Sequence, residues 1–171
     1  MFDAFATLAL LALTVTAVGW DVVTRRIPNV LTASGFFVAL ALRAPEGLDA
    51  VALGLFAALV AFALAVPMVL AGAMGAGDAK LLAAIGAFTG PAALPVVLLV
   101  TAVAGGVLAV GVAMKRGALG ETLAHARGLV LPARRSEGVG RAPRRTLATP
   151  GALAVPYAVA IGAGALAGWW A

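Results

Sequence analysis

The chain has 171 residues, 63% of them hydrophobic and only 11% charged, and its mean hydropathy is +1.09. A soluble domain carries about 25% charged residues, so this composition describes one integral-membrane domain over 1–171, with no separate soluble unit. The lack of cysteine excludes disulfides, thiolate metal sites and cysteine nucleophiles. A single histidine leaves little for a zinc site, and no metal or cofactor is expected.

A first apolar run covers about Ala4 to Trp20, long enough for a thin or tilted crossing. Met1-Phe2-Asp3 lacks the basic start of a cleaved signal, so the run is expected to be retained. Trp20 is an interface anchor, followed at once by Asp21 and the pair Arg25-Arg26. Pro28 and Asn29 punctuate the loop, and a second helix is expected from Pro28, where proline suits a first turn, to Leu42. Arg43 to Asp49 makes a short polar turn, and a third span covers roughly Ala50 to Ala71, kinked at Pro67.

Next comes Gly75-Ala76-Gly77-Asp78-Ala79-Lys80, a corner that places a carboxylate and an ammonium between two apolar runs. The two glycines free the backbone to turn tightly and to approach another segment closely. Asp78 is expected to cap a helix from Ala79 onward, with Lys80 in its first turn. Residues 79 to 114 are too long for one crossing at about 1.5 Å per residue. Thr89-Gly90-Pro91 and Pro95 supply a break, giving spans four and five. Lys115 to Thr149 is a long basic segment, and a last span runs from about Pro150 to Trp170. The fold class is therefore all-α, a polytopic bundle of about six spans. Gly86/Gly90 and Gly164/Gly168 have the GxxxG spacing of close helix packing, which also arises by chance in a chain so rich in alanine and glycine.

Charge supports this count. With the N-terminus outside, Arg25, Arg26, Lys80 and the eight basic residues of 115–149 all fall on the cytoplasmic side. Only Arg43 lies outside, beside Glu46 and Asp49, as the positive-inside rule requires. Trp169 and Trp170 then form an outer aromatic belt. Arg134-Arg135 and Arg144-Arg145 are expected to meet anionic lipid headgroups rather than nucleic acid. His125 reads as a surface residue of a loop helix.

The same topology puts Asp21 and Asp78 at one depth, near the cytoplasmic face. Each alone reads as an interfacial residue or a helix cap, but two at matched depth form a candidate acid–base pair, since ionisable groups near the bilayer interior are costly. Two close carboxylates share one proton, one acting on water and the other on a carbonyl oxygen. Lys80 either snorkels or orients Asp78 or a substrate. There is no G-x-S-x-G, H-E-x-x-H or Walker A sequence. A proton or ion transporter using the same carboxylates, or a non-catalytic subunit of a pilus or secretion assembly, are the rival readings.

Asp21-x-x-x-Arg25-Arg26-Ile27-Pro28-Asn29, followed by Gly75-x-Gly77-Asp78-x-Lys80, resembles the paired signatures of the type IV prepilin peptidases, a family of membrane aspartic proteases of the GxGD type. The resemblance spans about residues 4 to 170 and includes Val155-Pro156-Tyr157, similar to a proline–aromatic element of the family. It implies that Asp21 and Asp78 are the catalytic pair, supported by Gly75, Gly77, Lys80, Pro28 and Asn29. It implies as substrate a prepilin or pseudopilin whose basic leader is cut at the cytoplasmic face of the inner membrane. The stretch from Asp21 to Val30 leaves no room for the cysteine-bearing domain of many relatives, and the chain has no cysteine, which puts N-methylation in doubt. The compact form is similar to the peptidases of Tad/Flp-type pili. The oligomeric state is not legible.

Overall fold

The computed structural model describes residues 2–115 and 157–171. The basic segment, with His125 and the four loop arginines, and Val155-Pro156 lie outside them. Every regular element described is helical, in the order α1 (Phe2–Thr24), α2 (Asn29–Arg43), a 3-10 turn (Ala44–Glu46), α3 (Leu48–Leu70), α4 (Ala76–Lys115) and α5 (Tyr157–Trp169). Among the described residues, three helices are long and apolar enough to cross a membrane: Ala4–Thr24, Leu48–Leu70 and Ala76–Val112. The 15 residues of α2 and the 13 of α5 fall short of a full span.

Several boundaries shift from the sequence expectation. Helix α1 continues past Trp20, so Asp21 lies on its last turn rather than beyond its end. Pro28 stands just before α2, in extended geometry, and its carbonyl accepts the N–H groups of Leu31 and Thr32. Helix α3 tolerates Pro67 near its end and closes on Gly72, at φ 72°. There Gly72 N–H bonds to Val69 and Ala73 N–H to Met68, the paired bonds of a Schellman motif. The left-handed residue of this turn is thus Gly72, and neither Gly75 nor Gly77 has positive φ.

Gly90 breaks α4 with φ 77° and ψ 176°, a region that glycine alone occupies without strain. The chain reverses there. Tyr157 packs its ring on Gly105 and lies within electrostatic reach of Asp78. A straight helix would hold Asp78 and Gly105, 27 residues apart, at about 40 Å from each other. The first half of α4 therefore runs against α3 and the second half returns against α5.

Small residues set these contacts. Ala57, Ala61 and Ala65 give α3 a flat buried face, on which a Cβ at Gly86 would come within 2.9 Å of the Ala57 carbonyl oxygen. Gly164 and Gly168 let α5 settle onto Val97 and Thr101. Gly86, Gly164 and Gly168 thus serve packing within one chain, whereas Gly90 serves the break. Helix α5 also lies antiparallel to α1, with Gly162 on Thr14 and Trp169 Nε1 donating to Thr7 Oγ1 at 2.9 Å. Trp169 thus folds back onto the bundle, whereas Trp170 is exposed.

Arg43 behaves differently from the expected outer-loop charge. It is half-buried, and it donates from Nε to the Ala87 carbonyl at 2.7 Å and from Nη2 to the Phe88 carbonyl at 2.8 Å. These acceptors lie at the Gly90 break, where helical partners run out. A Cβ at Gly90 would sit 2.9 Å from Nη2. Gly90→Ala should therefore both strain the backbone and displace the guanidinium, costing about 1–3 kcal/mol. The expected outcome is a lower apparent melting temperature in detergent; an unchanged one would mean that the reversal does not depend on a left-handed residue.

Candidate active site

The site lies where the end of α1, the start of α2, the first turn of α4 and the first turn of α5 meet. Asp21 is 7% exposed, on the inward side of the last turn of α1. Its Oδ2 accepts the backbone N–H of Ala158 at 3.2 Å. That N–H belongs to the first turn of α5, one of the donors that a helix leaves without an internal partner. The positive end of α5 thus points at the Asp21 carboxylate.

Asp78 is held by its own helix. Helix α4 begins at Ala76, three residues earlier than the sequence suggested, so Asp78 is its third residue rather than its cap. The Gly75 carbonyl accepts the N–H groups of Asp78 and Ala79. In return, Asp78 Oδ2 accepts the Gly75 N–H at 3.2 Å. This is the backward half of a capping box, in which the third-residue acid satisfies the cap's own N–H. A Cβ at Gly75 would lie 2.9 Å from that oxygen, so glycine makes room for the carboxylate to fold back. The other oxygen, Oδ1, is buried and has no hydrogen-bond partner among the described residues. An orphaned carboxylate oxygen is costly unless something else comes to it.

The two sequence motifs are joined directly. Gly77 packs on Ile27, where a Cβ would lie 3.2 Å from Ile27 Cβ and 3.3 Å from its carbonyl oxygen. The close approach expected of this glycine is therefore made to the segment before Pro28. Lys80 is exposed, and its Nζ donates to Asn29 Oδ1 at 2.8 Å. It forms no ion pair with Asp78 among the described residues, so it ties α4 to the start of α2 rather than orienting the carboxylate. Through these links Asp21 and Asp78 come within range of one another's charge, as does Tyr157 with Asp78.

Sequence reasoning had named both carboxylates and their flanking motifs and had noted Tyr157 in a proline–aromatic element, but had placed no residue of the last span among the site residues. A family model described as the type IV leader peptidase family matches residues 8–110. This region contains Asp21, Asp78, α2, α3 and most of α1 and α4, and it ends before α5. No curated protein and no solved structure matches the chain. With more than half of its length matched, including both signature segments, the chain belongs to the type IV leader peptidase family.

Proposed function

We propose that this protein is a membrane-embedded aspartic endopeptidase of the GxGD type that removes leader peptides from prepilins, with Asp21 and Asp78 as its catalytic pair. The observation that carries this reading is that the two carboxylates come within range of one another's charge. They come from segments 57 residues apart, and each is held by a backbone N–H at a helix start. Such a pair shares one proton. The ionised member removes a proton from water as the water oxygen attacks the scissile carbonyl carbon. The protonated member gives its hydrogen to the carbonyl oxygen. Collapse of the resulting diol breaks the C–N bond, and a proton passes to the departing nitrogen.

The reversal at Gly90 supports a six-crossing arrangement, with α2, the two halves of α4 and α5 as short or tilted spans. With the N-terminus outside, the site then faces the cytoplasm. A substrate whose basic leader stays in that compartment and whose apolar segment enters the bilayer would present its junction at this depth. The compact motif spacing favours prepilins of the Tad/Flp type, and the basic residues of 115–149 would rest on anionic headgroups.

Asparagine keeps the size of aspartate and much of its hydrogen bonding but cannot shuttle the proton. Asp21→Asn and Asp78→Asn should each cut the rate of prepilin cleavage in detergent or vesicles by about 10²–10⁴-fold, with the protein still folded. Normal cleavage by either variant would remove that residue from the mechanism. Gly77→Val should also abolish cleavage, because branched carbons at this position would push the Ile27 segment, and with it the end of α1, away from α4. A fully active Gly77→Val protein would show that the Ile27 contact does not position the pair.

A further inference from the structure

Helix α5 lies beyond the matched region, yet its first two residues reach the centre of the site. Ala158 holds Asp21 through its N–H. The preceding residue, Tyr157, is half-buried, with the tip of its phenol ring set into the notch above Gly105. A Cβ at Gly105 would lie 2.9 Å from both Cζ and the hydroxyl oxygen. Only glycine leaves this seat open. The seat is rigid, because α5 is pinned along its length by Gly162 on Thr14, by Gly164 on Thr101 and by Gly168 on Val97.

The hydroxyl so held makes no hydrogen bond to any described residue. Asp78, within whose electrostatic reach it lies, has its Oδ1 likewise buried without a partner among the described residues. Among the described residues, a hydroxyl and a carboxylate oxygen without partners thus lie within reach of one another's charge, at the site that Ala158 joins to Asp21. A peptide group entering that site could take up both: its carbonyl oxygen needs a donor, and the attacking water needs an acceptor.

We propose that Tyr157 is a third catalytic group of this site, its hydroxyl donating a second hydrogen bond to the scissile carbonyl oxygen beside the protonated carboxyl, while the ionised carboxylate takes the proton of the water. The role rests on the peptidase reading above. No bond to the tyrosine forms or breaks. Its hydroxyl strengthens its hydrogen bond as negative charge grows on the carbonyl oxygen, as an oxyanion-hole donor does.

Tyr157→Phe removes the hydroxyl and keeps the ring in its notch. In purified protein acting on a prepilin peptide, kcat should fall by about a hundredfold, with KM and the melting temperature nearly unchanged. Gly105→Ala, which pushes the phenol tip aside without removing it, should lower kcat in the same direction. A Tyr157→Phe protein with full kcat would overturn the proposal, as would a loss of rate matched by a loss of thermal stability, which would mark a packing role. Because Tyr157 is the only tyrosine, incorporation of fluorotyrosine gives one fluorine resonance, and Asp78→Asn should shift it whether or not any substrate is cleaved. A resonance indifferent to Asp78→Asn would overturn the placement of Tyr157. Absence of cleavage by the unaltered protein, with the resonance responding as expected, would overturn the peptidase reading and the catalytic role while leaving the placement intact.

Discussion

Two carboxylates in an apolar bundle lose hydration and repel one another, and this cost governs how the helices around them are arranged. Each is met by the positive end of a helix. Asp78 lies in the first turn of α4 and takes the Gly75 N–H, while Asp21 takes the Ala158 N–H from the first turn of α5. One acid is therefore stabilised by the helix that carries it, and the other by a helix that arrives from the far end of the chain. The asymmetry leaves Asp78 Oδ1 without a partner among the described residues.

Holding these groups in register falls to small residues rather than to large apolar ones. Inside a bilayer there is no hydrophobic force between helices, so close backbone contact must supply the packing. Gly77 against Ile27 joins the two motif segments, Gly86 against Ala57 joins α4 to α3, and Gly164 and Gly168 join α5 to the returning half of α4. The reversal that makes the last of these possible depends on Gly90 and on Arg43, whose guanidinium takes over carbonyls that the broken helix leaves open. A cation at the end opposite the site thus fixes the path of the segment that seats Tyr157.

Much of this was legible in the sequence for physical reasons. Asp21 and Asp78 stand out because acids are so rare in this chain, and Thr89-Gly90-Pro91 announces the break because no uninterrupted crossing is so long. What escaped the sequence were the long-range partnerships. Arg43 was placed in an outer polar turn by the expected topology, yet its side chain reaches inward to α4. Lys80, expected to snorkel or to orient Asp78 or a substrate, binds Asn29, 51 residues away. The turning role assigned to Gly75 and Gly77 belongs to Gly72, since hydropathy reveals where a helix ends but not which residue takes the left-handed conformation. The contribution of α5 was hidden for the same reason: the order of helices around a bundle is not encoded in apolar periodicity.

The account stands or falls on the two carboxylates facing one another in the folded protein. The chain has no cysteine, so the double variant Asp21→Cys, Asp78→Cys can be treated in native membranes with a short bifunctional thiol reagent. The account predicts an intramolecular crosslink between the two segments, absent from either single variant. If a control pair, Gly105→Cys with Tyr157→Cys, crosslinks while the Asp21–Asp78 pair does not, the carboxylates do not meet and the paired mechanism is contradicted.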